Sequence, residues 1–307
     1  MLLSGDGRTI NRLCERRLMT ATNQLPREEY IEQEYFFKTY RQRLKDSVPS
    51  QDILKTIQEE LLSTCRLPVA IDILRTEILH SGQMGPAMRR LPHYFTSFQT
   101  FVIEQAEDDK SRFEQIAAFH ILEREARYRG DDVSPSGLFM YQLECIARNR
   151  LGYHSGLNAM AADKIFNADW KTWFQYLTLQ LGVHDLADLV YRASEYYQIR
   201  RRTQAAGASE GASQPVLFEN QTGRIARANI GRDPVYFFSA LQRQLNYPSV
   251  PLPPRTEPEQ VSPVVESRLI RMEQRLKLLE MEQKDGIDLT QFYGKHRSMD
   301  EGDTGSI

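Results

Sequence analysis

Between positions 26 and 202, apolar residues recur every three or four positions, the period of helices that each bury one face. The densest such stretch is 91–130, LPHYFTSFQTFVIEQAEDDKSRFEQIAAFHILEREARYRG. Its first half carries Phe95, Phe98, Phe101, Val102 and Gln105 on one stripe. Its second half carries Phe113, Ile116, Ala117 and His120 on another, beyond the charged knot Glu107, Asp108, Asp109, Lys110. The pattern predicts a helical hairpin at the centre of the fold.

Neighbouring stretches repeat the period. Pro26 starts a helix striped by Tyr30, Phe37, Tyr40 and Leu44, and Ser50 reads as the N-cap of one carrying Ile53, Leu54, Ile57, Leu61 and Leu62. Pro68 opens a third through Ile71, Leu74, Ile78 and Leu79, with Gly82 as its C-terminal cap. Gly85 and Pro86 read as a turn before a short basic element ending in Arg89 and Arg90. After the hairpin, Ser134 and Pro135 start a helix with Leu138, Phe139, Gln142 and Ile146 inward; Gly152 breaks it, and 153–158 reads as a loop. Asp169 reads as the cap of a helix burying Trp170, Trp173, Phe174, Leu177 and Leu181. Asp185 reads as the cap of another, with Leu186, Leu189, Val190, Ala193 and Tyr197. No stretch alternates with the period of a strand. The expected fold class is all-α, an irregular multi-helix domain of about eight helices over 25–202. No repeat emerges at the roughly 33–47-residue periods of helical solenoids.

The flanks differ in composition. Residues 1–24 form a polar arm in which Arg8, Arg12, Arg16 and Arg17 surround Ile10 and Leu13. Residues 203–215 are small and polar, the composition of a flexible linker. Residues 216–248 form an ancillary segment with a short helix from Asp233 and Pro234, carrying Tyr236, Phe237, Ala240, Leu241 and Leu245. Such a helix is too short to stand alone and is expected to pack back onto the domain, with a separate docking helix as the alternative. A proline-rich, semi-rigid linker covers 249–263.

Residues 264–284 then follow a heptad pattern, with Leu269 and Leu276 at a and Val265, Met272 and Leu279 at d. Arg268 and Arg275 at g face Glu273 and Glu280 at e in a parallel coil, each pair of opposite sign. RLIRME and RLKLLE resemble the Arg-h-x-x-h-Glu signature of parallel three-stranded coiled coils. The expectation is a homo-oligomer, trimer or dimer. Residues 285–307 form a polar tail in which Ile287, Leu289, Phe292 and Tyr293 are large and apolar, the composition of a short docking motif for a protein partner.

Composition narrows the function classes. Hydrophobic residues are 41% and charged residues 26%, enough apolar content for a sizeable core. The net charge of −2 argues against a globally basic nucleic-acid binder. Cys14, Cys65 and Cys145 are far apart and include no Cys-x-x-Cys pair, so neither a zinc knuckle nor a disulfide framework is expected, and the compartment expected is the cytoplasm. The N-terminal stretch lacks the apolar core of a secretory signal, and no run of 18 apolar residues occurs.

Candidate chemistry is sparse. Carboxylate-bridged di-metal bundles draw Glu and Glu-x-x-His from facing helices; here Glu77 with His80, Glu104, Glu107, and the reversed pair His120 with Glu123 are the candidates. His154 beside Ser155 is adjacency only, since triads assemble from distant residues. Gly5-Asp6-Gly7 lacks the strand and helix of a phosphate loop. Arg148 and Arg150, Arg200 to Arg202, and Arg224, Arg227 and Arg232 read as charges at helix C-termini facing the dipole; an anionic partner such as RNA or a phospholipid surface is the alternative. The architecture leads to the expectation of a non-enzymatic adaptor or scaffold with no catalytic, cofactor or metal residues, with a helical metal-dependent enzyme as the alternative.

Overall fold

Thirteen helices and no strand form among the described residues of the computed structural model, which are 25–61, 64–108, 110–131, 133–204, 215–252, Met272 and Arg275. The helices are α1 (Arg27–Lys45), α2 (Ser50–Glu60), α3 (Leu67–Ser81), α4 (Gly85–Arg90), α5 (Ser97–Glu107), α6 (Gln115–Gly130), α7 (Pro135–Arg148), α8 (Tyr153–Ala161), α9 (Ala168–Gln180), α10 (Leu186–Arg192), α11 (Glu195–Gln204), α12 (Asn220–Asn229) and α13 (Pro234–Leu245). The chain divides into two compact units, Met1–Pro253 and Pro254–Ile307. In the second, Met272 and Arg275 are helical and exposed. No helix of the described residues is long and apolar enough to cross a membrane.

The all-α class is as expected, but about eight helices up to Arg202 becomes eleven up to Gln204. Three local causes account for the difference. The Gly85-Pro86 turn is instead the first turn of α4, because the Glu107 carboxylate accepts from the Met84 and Gly85 N–H groups at 2.5 and 2.9 Å. The loop expected at 153–158 is α8, whose Gly156 lies against α7 and α5. A Cβ there would sit 2.5 Å from Ile146 Cδ1 and 3.3 Å from a Phe101 ring carbon, so Gly156 serves close approach, while the break expected at Gly152 holds, since α7 ends at Arg148 and Gly152 caps α8. The helix expected from Asp185 to Tyr197 splits at Ser194, where Glu195 N donates to Phe218 O at 2.9 Å. Other boundaries shift slightly. Asn167, not Asp169, caps α9 by accepting from Trp170 N, and Ser50 is the first residue of α2 and not its cap. Gly82 caps α3 at φ +77°, a left-handed conformation that glycine adopts without strain.

The 91–130 hairpin is present, with a capping box at its start in which Thr96 and Gln99 exchange side-chain and backbone bonds. Its second stripe is phased differently from expectation. The buried positions of α6 are Ala117, Ala118, Phe119, Ile121, Leu122, Glu125, Ala126, Tyr128 and Arg129, while Ile116 and His120 are half-buried. The most extensive helix pairing is α6 with α1. Tyr40 stacks on Phe119 with ring centroids 4.2 Å apart.

Two buried features organise the rest. Phe139 of α7 lies 5.0–6.0 Å, centroid to centroid, from Trp170, Trp173, Phe174 and Phe218. This cluster is fully enclosed, so the 170–174 aromatic face is core. Beneath α6, Arg129 binds Glu125 at 2.8 Å and also Asp163, and Gln142 Nε2 donates to Glu125 at 2.7 Å. Residues 216–252 complete the same body. Phe218, Phe237, Phe238, Leu241 and Tyr247 are buried in it, and the Tyr247 hydroxyl donates to Glu144 at 2.8 Å. Tyr236 and Leu79, expected inward, are 68% and 59% exposed. The expected linker at 249–263 begins on the body, where Arg124 Nη1 donates to Ser249 O at 2.7 Å and Asn149 Nδ2 to Pro251 O at 3.3 Å.

Candidate interaction surface

A single hydrogen-bonded pin brings two remote basic stretches together. Leu217 N donates to Ala193 O at 2.9 Å, alongside the Glu195 N bond to Phe218 O. The segment returning at 215 is thereby laid against the α10–α11 junction, and α12 packs against both helices. Gly223 makes the approach possible. A Cβ at that position would come within 2.7 Å of Ser194 Cβ and 2.8 Å of Tyr196 Cβ, closer than side chains tolerate.

The result is a cluster centred on Tyr196. The Arg200 and Arg224 guanidinium carbons lie 5.9 and 5.6 Å from its ring centroid, within cation–π range. Arg227 Nη1 donates to the Tyr196 hydroxyl at 3.4 Å. Tyr191 packs 6.2 Å from Tyr196 and 5.2 Å from Tyr197, and burial pushes its hydroxyl above the usual tyrosine range. Arg192 is different: it pairs with Asp188 at 2.7 Å and is electrically satisfied. Among the described residues no carboxylate pairs with Arg200, Arg224 or Arg227. Three cations sharing one aromatic platform repel one another, and an incoming anionic group relieves that repulsion.

Arg201 and Arg202 do lie in the last turn of α11, and Arg227 in the last turn of α12, as the dipole reading expects. What the linear order conceals is that Arg200 and Arg224 share one surface. Tyr196 is not among the residues that the sequence singles out. The signal available is a tyrosine four residues before Arg200, one helical turn away.

Compared with known proteins, the chain matches no family model, no curated protein and no solved structure. The site therefore stands on its own geometry.

The metal candidates are dispersed into other tasks. Glu77 pairs with Arg90, Glu104 with Arg89 at 2.5 Å and Glu123 with Arg41 at 2.8 Å, while Glu107 caps α4. Among the described residues no three His, Cys, Asp or Glu side chains gather around a common point that could hold an ion. His154 and Ser155 are exposed on α8, and Ser155 Oγ donates to Gly152 O at 3.1 Å.

His120 accepts from Arg124 Nε at 3.1 Å through its own Nε2, which requires that nitrogen to be unprotonated. Burial first, then Arg41 and Arg124, hold its pKa below the usual histidine value; Glu123 opposes them, and Lys45 adds to the depression. The neutral imidazole is thus favoured in the fold. Stability from this residue is complete above about pH 6.5 and is lost as pH falls below that value toward the folded-state pKa. Chemical denaturation between pH 7.5 and 5.5 is expected to show a loss that His120→Gln reduces; an identical pH slope in the variant would contradict this assignment.

Of the expected tail residues, Met272 and Arg275 are the described ones. Val265, Arg268, Leu269, Glu273, Leu276, Leu279 and Glu280 lie outside the described residues, as do Ile287, Leu289, Phe292 and Tyr293.

Proposed function

We propose that this chain is a non-enzymatic adaptor or scaffold whose helical body holds an acidic protein partner on the Tyr196 surface. The carrying observation is that Arg200, Arg224 and Arg227 surround one half-buried tyrosine with no carboxylate paired to them among the described residues. Arginine and tyrosine are the residue types that dominate binding energy at protein interfaces. The patch is local. Asp188, Glu195 and Glu219 lie on the same helices or at their ends, and the chain is slightly acidic overall, which favours a protein carboxylate cluster over a long nucleic-acid strand.

In this proposal residues 264–284 join copies into a trimer or dimer through Val265, Leu269, Met272, Leu276 and Leu279, and Ile287, Leu289, Phe292 and Tyr293 form a second docking motif. Met272, a d-position residue, is helical and 57% exposed within its own chain, which suits a side chain awaiting a neighbour. Joining copies multiplies weak contacts into avidity. The reading includes a cytoplasmic setting, in keeping with the fully buried Cys145 thiol.

The test is capture from native lysate by full-length protein, by residues 1–258 and by full-length protein carrying Arg200→Glu, Arg224→Glu and Arg227→Glu. The charge reversal is expected to weaken capture of an acidic protein by roughly tenfold or more, with circular dichroism unchanged. Capture unaffected by the reversal moves the contact elsewhere, and capture abolished by nuclease treatment replaces the protein partner with nucleic acid. Light scattering is expected to give a monomer mass for residues 1–258 and a multiple of it for the full chain; monomers in both refute the coil.

A further inference from the structure

A second site, remote in sequence from the Tyr196 surface and independent of it, is built where α1 begins. A cleft of about 510 Å³ is bounded by Leu25 and Pro26, by the 92–97 turn before α5 and by the Ala162 to Lys164 turn after α8. That volume is within the range of small-molecule sites. Tyr30, Tyr94 and Phe95 supply aromatic wall, and Arg129 and Asp163 reach it from the buried ion cluster.

The cleft is unusual in its charge. Arg66, His93 and Lys164 line it, all three are exposed, and none has an ion-pair partner among the described residues. Two carboxylates beside the cleft, Asp163 and Glu29, are each hydrogen-bonded through both oxygens. Asp163 Oδ2 accepts from Arg129, and its Oδ1 accepts from Ile165 N at 3.1 Å. Glu29 Oε1 accepts from Arg66 N at 2.8 Å, and its Oε2 accepts from the Tyr94 hydroxyl at 3.0 Å. Both are buried, so neither swings out to form an ion pair with the exposed Arg66 or Lys164 side chain. A concave site is left with a guanidinium, an ammonium and an imidazole beside aromatic rings. That donor set matches the oxygens of a phosphate group, and the largely buried Tyr30, Tyr94 and Phe95 give the cleft an apolar floor for an attached organic moiety.

We propose that this cleft binds a small phosphate ester, with Arg66, His93 and Lys164 holding the phosphate and the organic part resting on the floor that Tyr30, Tyr94 and Phe95 close. The N-terminal arm is a poorer occupant on charge, since its Arg8, Arg12, Arg16 and Arg17 carry the same sign as Arg66 and Lys164.

The experiment is calorimetric titration of the full chain at low salt with AMP, with inorganic phosphate and with uncharged adenosine. It is repeated on the double variant Arg66→Ala, Lys164→Ala, and on Lys171→Ala, an exposed lysine of α9 outside the cleft. Arg66 and Lys164 are exposed, and the Arg66→Ala substitution retains the backbone N–H that bonds Glu29, so the double variant keeps the fold. The expected result is AMP binding that weakens by roughly tenfold or more in the double variant and is unchanged in Lys171→Ala. Inorganic phosphate is expected to bind more weakly than AMP, and adenosine not to bind. No AMP binding, equal binding by the double variant, or adenosine binding as tightly as AMP each overturns the proposal. Phosphate binding as tightly as AMP also overturns it, by reducing the site to an ion site with no organic part.

Discussion

Arg129→Met is expected to lower folding stability by about 3–5 kcal/mol, the usual cost of removing one partner from a buried ion group. Arg129 and Glu125 are both almost entirely withdrawn from solvent, with side-chain exposures of 2% and 0%. The guanidinium bonds Glu125 through Nε at 3.1 Å and Nη2 at 2.8 Å, and also bonds Asp163. Glu125 Oε2 already lacks a hydrogen-bond partner, so without the arginine the carboxylate retains the bond from Gln142 alone. Burial pushes the Glu125 carboxyl above its ordinary pKa even with Arg129 pulling the other way. Removing the cation lets burial act unopposed and raises it further. The sign follows directly. A carboxyl with a raised folded pKa takes up protons more readily folded than unfolded, so its contribution is fully present below about pH 4.3 and is lost as pH rises through the folded value. The deficit of Arg129→Met is therefore expected to be larger at pH 8 than at pH 5. Urea unfolding at the two pH values measures it. Adding Glu125→Gln and Asp163→Asn to the variant is expected to return part of the loss, because no buried charge is then left unpaired. A loss below about 1 kcal/mol at pH 8 would mean that the cluster is effectively solvated.

Phe139→Ala is expected to cost a comparable amount, about 3–5 kcal/mol. Its ring touches Trp170, Trp173, Phe174 and Phe218, which come from α9 and from the segment beyond 215. Deletion opens a cavity that these large, mutually packed rings cannot fill without leaving their own contacts. Both tryptophans of the chain border the lost ring, so their emission is expected to shift with the thermal midpoint. Leu179→Ala is the matched control. Its side chain is 75% exposed on the outer face of α9, and its replacement is expected to change stability by no more than about 0.5 kcal/mol. Equal effects at the two positions would remove Phe139 from the core.

Much of the fold is legible in the sequence because its signals are local. Proline at the first turn of α3, α7 and α13, Gly82 after α3, Ser134 before α7 and Asp185 before α10 act within one turn of where they stand. Ile53, Leu54, Ile57 and Leu61 at α2 and the inward residues expected of α7 also follow from spacing, because the period of three and four marks the side of each helix that meets its neighbours; Leu62 lies outside the described residues. Phasing fails on α6, which is buried around most of its circumference. Apolar spacing cannot then distinguish the Phe113, Ile116, His120 stripe from the Ala118, Ile121, Glu125 face. It fails again for Leu79 and Tyr236, which have helical spacing but stay largely exposed.

The order of residues by itself determined an all-helical chain with a committed core, because helical period and helix ends are written within a few residues of one another. Tertiary structure alone decided which charges meet. Glu77, Glu104 and Glu123 look equally suited to a metal until packing places Arg90, Arg89 and Arg41 against them. Arg200 and Arg224 look like separate helix-end charges until Gly223 and the Ala193 to Leu217 bond bring them to one tyrosine. Electrostatic partnership depends on distances of a few ångströms between residues far apart in the chain, and those distances are set only when the helices pack.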